Sequence, residues 1–127
     1  MSEHNFISCA AVLVVDDIHR SVGFYRDRLG FVVREIHGDP LSFAIADAPT
    51  ASIILKEGGP NARPHPNGEA ISGLWDAYIW VRDLRALTED LAARGARMEE
   101  QVEQPYGCTE VVVRDPDGYA ICFGYCP

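Results

Sequence analysis

The feature that most constrains this chain is that its pattern occurs twice. One apolar run ends in Val15-Asp16-Asp17-Ile18, and a second ends in Val81-Arg82-Asp83-Leu84. In each, an aspartate stands where its carboxylate can accept from the orphan N–H groups of a helix's first turn. After Asp17 come Ile18, Val22, Tyr25 and Leu29, one face of a helix, and Gly30 stops it. After Asp83, Leu84, Leu87 and Leu91 form the corresponding face, and Gly95 ends it. Alternation and apolar runs predict a strand over 7–15 before the first helix and strands over 31–37, 41–47 and 51–56 after it. The second copy repeats this with strands over 74–82, about 97–102, 108–114 and 119–125. Between the copies, Gly58, Gly59, Pro60, Pro64, Pro66, Gly68 and Gly73 mark a linker over about 58–73.

Each copy therefore reads βαβββ. One four-stranded unit with a single helix leaves the other face of its sheet bare. Two units bury part of that face against each other and enclose a cavity. The expected fold is α+β: two tandem βαβββ modules forming a curved mixed sheet around a cavity, with the helices on the outer face. Module one covers about 6–57 and module two about 74–125, and residues 1–127 make one domain. The competing reading is a duplicated sheet domain with a solid core.

Composition narrows the function. Of 127 residues, 47% are hydrophobic and 24% charged, which is globular composition. The formal net charge of −8 repels phosphate backbones and argues against nucleic acid as a partner. No apolar run approaches the ~20 residues of a membrane span. The first residues are polar, without a basic stretch leading into an apolar one, so a cytoplasmic location is expected. Cys9, Cys108, Cys122 and Cys126 show no CxxC pair and no zinc spacing, and in that compartment they are expected as free thiols. An exported disulfide protein is the alternative. There is no nucleophile elbow and no phosphate-cradling loop.

Pleating assigns faces. Asp76, Tyr78 and Trp80 share one side of the fifth strand, and Ala77, Ile79 and Val81 share the other. The aliphatic set belongs under the helices, so the aromatic and acidic set points into the cavity. By the same reasoning Ala10, Val12 and Val14 face inward from the first strand, with Leu13 and Val15 behind. Cys122 and Gly124 face inward from the last, with Ile121 and Phe123 behind. Phe43 is a further wall. Such a slot suits a flat or cationic small molecule, through stacking, cation–π attraction and pairing with Asp76. The plainer reading makes Tyr78 and Trp80 core or dimer-interface aromatics, Asp76 a partly solvated carboxylate and Cys122 a small buried hydrophobe. Glu99, Glu100 and Glu103 read as a solvated edge strand.

The paired pattern, with Asp16-Asp17-Ile18-His19-Arg20-Ser21-Val22-Gly23-Phe24-Tyr25 and then Leu29-Gly30-Phe31, resembles the vicinal oxygen chelate superfamily, which includes glyoxalase I, extradiol dioxygenases, fosfomycin-resistance transferases and bleomycin-resistance proteins. Pro105-Tyr106-Gly107, the run Val111 to Gly118, and Phe123-Gly124 are similar to the bleomycin-resistance branch. The resemblance implies an aromatic at the pocket mouth, which falls on Tyr106. It also implies a divalent metal in the superfamily's enzymes, held from the first strand of each module and from the last strand. Those positions fall on Ala10, Asp76 and Cys122. Ala10 cannot donate, and Asp76 with Cys122 is short of the three donors an open site needs. His4, His19, His37 and His65 all avoid the middle of a strand. The expectation is therefore no cofactor and no catalytic residue, with Asp76 and Cys122 the ligands if a metal binds. Phe43, Asp76, Tyr78, Trp80, Tyr106 and Cys122 are the expected ligand-binding residues. The implied function is non-catalytic capture of a drug or metabolite by a homodimer whose grooves combine module one of one chain with module two of the other. A metal-dependent glyoxalase-type lyase, isomerase or dioxygenase is the alternative, and a scaffold or regulatory domain with a filled cavity is a third.

Overall fold

The computed structural model describes residues 5–127, so His4 lies outside the described residues. In chain order the elements are β1 (Ala10–Val15), α1 (Ile18–Asp27), β2 (Val32–His37), β3 (Phe43–Ala48), β4 (Ala51–Glu57), β5 (Ala77–Trp80), α2 (Leu84–Ala93), β6 (Val102–Glu103), β7 (Thr109–Arg114) and β8 (Ala120–Tyr125). One 3₁₀ turn, Asn67–Glu69, interrupts the linker. The strands divide into two four-stranded mixed sheets, ordered β1-β4-β3-β2 and β5-β8-β7-β6. In each sheet the first strand of its module lies at an edge and runs parallel to the last, while the other pairings are antiparallel. This is the βαβββ module twice over.

The helices begin and end where local chemistry requires. Asp17 Oδ1 accepts from the backbone N–H of His19 and Arg20 at 3.0 and 3.2 Å, and Asp83 Oδ1 accepts from that of Ala86 at 3.0 Å. Gly30 and Gly95 follow the helices with φ of 77° and 75°, the left-handed region that favours glycine. The two ends also touch. Arg28 Nη1 donates to the carbonyl of Arg94 at 2.7 Å, and a β-carbon at Gly30 would stand 2.8 Å from the Arg94 guanidinium carbon. A side chain at Gly30 would thus disturb its own backbone and the contact between modules.

One core serves both modules. Ile18, Val22, Tyr25 and Leu29 of the first helical face are buried with Leu13, Val15, Ile53 and Leu55 from the first sheet. Leu84 and Leu91 are buried with Val111, Val113, Ile121 and Phe123 from the second. Burial of this apolar surface is the main stabilising term. The tight turn between β7 and β8 joins the halves with carboxylates. Tyr25 OH donates to Asp115 Oδ2 at 2.9 Å, and Asp115 Oδ1 accepts from the backbone N–H of Asp117 and Tyr119, both at 2.9 Å. Arg20 of α1 pairs with Asp117 at 3.0 Å. Tyr119 OH donates to the carbonyl of Val14 at 2.6 Å. The turn is therefore a docking element for module one.

Some boundaries differ from the sequence-based expectation. The first strand starts at Ala10 and not at residue 7, leaving Phe6 and Ile7 at 92% and 96% exposure. The fifth strand shortens to four residues. The strand expected over 97–102 reduces to Val102–Glu103 and an isolated bridge, Met98 to Val113. β6 is the outer strand of its sheet among the described residues, and Glu99 is drawn into an ion pair with Arg114 at 2.6 Å, so extension there gains little. The expectation of four free thiols is corrected. Cys108 and Cys126 form a disulfide, because the β7–β8 register sets Thr109 opposite Tyr125 and brings their neighbours together. Cys9 and Cys122 are free. Among the described residues no helix is long and apolar enough to cross a membrane.

Candidate functional site

β1 and β5 each have one unpaired edge, and a groove of ≈ 450 Å³ lies where these two edges face each other. Cys9, Ala10 and Ala11 line it from module one, and Asp76, Ala77, Tyr78, Ile79 and Trp80 from module two, with residues 50–53 below. Tyr78 and Trp80 form its aromatic wall, and Trp75 supports Tyr78 from outside the lining. The rings of Trp75 and Tyr78 meet edge-on with centroids 4.8 Å apart, and those of Tyr78 and Trp80 are tilted at 5.1 Å. Trp80 is 73% exposed, so an apolar face is presented to solvent. More open depressions lie at the start of α2, beside Arg82 and Arg85, and along Glu35–Leu41. Neither brings aromatic rings together in this way.

The wall is locked from behind by a residue the sequence reasoning did not single out. Tyr78 lies opposite Cys122 in the ladder, and Glu110 of β7 lies opposite Gly124. The Tyr78 ring crosses β8 over Gly124, where any β-carbon would collide with its hydroxyl and ring. Its OH then donates to Glu110 Oε2 at 2.6 Å. Tyr106, carried on the Pro105-Tyr106-Gly107 bend, donates to the same oxygen at 2.6 Å, and Gln104 Nε2 donates to Oε1 at 2.9 Å. Glu110 is only 3% exposed. Alternation in β7 was the available signal: Glu110 and Val112 share the inward face with Cys122 and Gly124, and a carboxylate amid apolar neighbours invites a search for its partners.

The electrostatics follow from this packing. Burial pushes the Glu110 carboxyl up, but the hydrogen bonds from Tyr106, Tyr78 and Gln104 outweigh it and hold the group below the usual glutamate value, so it is ionised. Burial and the neighbouring Glu110 charge raise both phenols, Tyr106 to about 12 and Tyr78 further. The same two causes push the Cys122 thiol up to about 12.

The expected site residues are partly gathered. Asp76, Tyr78 and Trp80 line the groove together, and Tyr106 joins Tyr78 at Glu110. Cys122 faces the same side as Tyr78 but is completely buried. Phe43 sits half-buried on the first sheet, paired with Lys56, away from the groove lining. Asp76 has both oxygens engaged: Oδ1 accepts from the Asn67 N–H at 2.7 Å and Oδ2 from the Ala120 N–H at 2.8 Å. It anchors the linker and β8 to the start of β5.

The three positions that the family resemblance reserves for a metal do not suit one. Ala10 has no donor atom, the Asp76 oxygens are turned to backbone N–H groups, and the Cys122 thiol is buried and protonated. Among the described residues no three His, Cys, Asp or Glu side chains converge.

Residues 8–123 match the Glyoxalase/Bleomycin resistance protein/Dioxygenase superfamily. No curated protein matches the chain significantly. Among solved structures, a glyoxalase-related enzyme from Clostridium phytofermentans superposes with a TM-score of 0.74 at 16% identity, covering 98% of this chain and 100% of that one. TnmS3, an antibiotic binding protein from a Streptomyces species, gives 0.72 at 19% identity, covering 99% and 100%. A glyoxalase/bleomycin resistance protein from Catenulispora acidiphila gives 0.70 at 23% identity, covering 96% and 100%. These likenesses carry the fold. The family match spans nearly the whole chain, which belongs to the Glyoxalase/Bleomycin resistance protein/Dioxygenase superfamily.

Proposed function

We propose that this superfamily member captures a flat organic small molecule, a drug or a metabolite, in the aromatic groove and releases it unchanged. One observation carries the reading. The polar groups behind the groove are saturated and fixed in charge: Glu110 is ionised with three donors on it, while Tyr78, Tyr106 and Cys122 hold their protons far above neutrality. General acid–base catalysis needs a group poised near the working pH; here Glu110 instead holds the Tyr78 ring in place. A ring slid against Tyr78 and Trp80 gains ~0.5–1.5 kcal/mol per aromatic pair beyond area burial. Rings already locked in place lose little entropy on binding. TnmS3, with the same fold, is an antibiotic binding protein, which supports the reading.

Titration with bleomycin, followed by the fluorescence of Trp75 and Trp80, tests it. We expect a saturable change at micromolar ligand, and elemental analysis of the protein free of stoichiometric divalent metal. No fluorescence change at high micromolar ligand removes drug capture. About one tightly held metal per chain points instead to the superfamily's metal-dependent chemistry.

The capturing unit in this proposal is a homodimer. Val12 and Val32 are 66% and 70% exposed on the same face of the first sheet, the face that also carries Phe43. A second copy covering that face buries this surface and brings Phe43 to the partner's groove, in an isologous arrangement. Light scattering is expected to give twice the chain mass of 14.0 kDa; a chain that stays monomeric at working concentration removes Phe43 from the groove.

A further inference from the structure

We propose that Glu110 is the anchor of a subsite for the cationic group of the ligand, with the Tyr106 ring as its displaceable cover. The inference rests on the groove reading above and adds the charge class of what the groove takes. A carboxylate that is 3% exposed is ordinarily matched by a cation. Glu110 is matched by none: its partners are two phenols and one amide, all neutral, and no ion pair among the described residues includes it. Three neutral donors satisfy the lone pairs and leave the charge unpaired. The aromatic row that runs through Tyr78 compounds this, because an aromatic face attracts cations.

The three partners are not equally fixed. Tyr78 is held by Trp75 and Trp80 on either side and by the space above Gly124. Tyr106 is 58% exposed, on a bend whose Gly107 has φ +93°, and no ring pairs with it. It shares Oε2 with Tyr78, so its departure leaves that oxygen still bonded to Tyr78 and open to one new donor. An ammonium or amidinium group entering there replaces the Tyr106 hydroxyl with a charge-assisted bond, and the attached ring lies against Tyr78. The negative charge that the sequence suggested for Asp76 is thus supplied two strands further in, on β7, since both Asp76 oxygens already face backbone N–H groups.

Two dyes of nearly one shape test this: 9-aminoacridine, an amidinium-like cation with N–H donors at neutral pH, and acridine at a pH where it is neutral. Each is titrated into the full chain and read by tryptophan quenching. The wild type is expected to prefer the cation roughly tenfold. In Glu110→Gln the preference falls to about one. In Tyr106→Phe, which keeps the ring and removes the hydroxyl that competes for Oε2, affinity for the cation rises a few-fold; a purely structural hydroxyl predicts no gain. Both dyes binding with equal affinity in all three proteins overturns the cation subsite and leaves the aromatic groove standing. Binding of neither dye overturns the groove and the subsite with it. If Glu110→Gln does not fold, Tyr106→Phe decides: unchanged or weaker binding of the cation overturns the proposal.

Discussion

Gly124→Val is expected to empty the groove of ligand and to destabilise the chain at the same time. The β-carbon of any larger residue at 124 stands inside the space of the Tyr78 ring and hydroxyl, and glycine is the only residue that leaves that path open. Valine forces Tyr78 off β8, breaks its bond to Glu110, and separates its ring from Trp75 and Trp80. Overpacking together with loss of a hydrogen bond to a charged group puts the cost at about 2–4 kcal/mol. The groove loses the central ring of its row, so ligand affinity is expected to fall on the order of tenfold to a hundredfold. Urea denaturation and the tryptophan titration measure the two effects. The discriminating control is the pair Tyr78→Ala and Tyr78→Ala/Gly124→Val. With the ring gone, valine has nothing to collide with, so its added cost should shrink to a small fraction. A cost of valine that is the same with and without Tyr78 would place the damage in the β8 backbone and not in the wall.

Gly124 also shows where a sequence stops being readable. The helices were legible because their determinants are local: an aspartate at the N-terminus, a 3.6-residue apolar face and a glycine at the end are all within one turn of what they control. Strand faces were legible for a similar reason, since pleating fixes Leu13 and Val15 against Val12 and Val14 without knowledge of any partner. Ile121 and Phe123, assigned to the helix side, lie in the core cluster with Leu84 and Leu91 of α2, and Cys122 does not. What was not legible depends on register between distant strands. Asp76 on the inward face looked available for a ligand, yet its two oxygens are taken by N–H groups from the linker and from β8. Glu110 passed unnoticed because its donors sit on β5 and on the bend before β7, and only assembled strands bring them to one carboxylate. The pairing of Cys108 with Cys126 follows from one rung of the β7–β8 ladder, which spacing alone does not disclose. The turn Asp115-Pro116-Asp117-Gly118 was readable as a turn; that its carboxylates reach α1 was not.

Those carboxylates set the second large effect. Tyr25→Ala is expected to cost about 3–5 kcal/mol, the range for removing a fully buried aromatic ring. Tyr25 has no exposed surface, meets Phe24 and Phe31 edge-on at 5.3 and 6.1 Å, and donates to Asp115 across the module boundary. Tyr25→Phe keeps the ring and isolates the hydrogen bond. Its cost depends on pH, because burial pushes the Asp115 carboxyl up to about 6 against the pull of three donors. A carboxyl raised above its unfolded value of about 3.8 binds its proton more tightly in the folded chain. Its contribution to stability is therefore complete below about pH 4 and is lost as pH rises through about 6. Above about pH 6 Asp115→Asn, which carries no charge to bury, is expected to have gained on the wild type by about 3 kcal/mol relative to pH 4, two pKa units at 1.36 kcal/mol each. Tyr25→Phe moves the other way. It removes a donor that the ionised carboxylate needs most, so its cost of about 1–3 kcal/mol appears at neutral pH and shrinks in acid. Urea denaturation of the three proteins across that pH range checks both slopes. Equal costs for Tyr25→Phe at pH 4 and pH 7 would mean that the hydroxyl does not stabilise the carboxylate's charge, and that ring packing alone joins α1 to the turn.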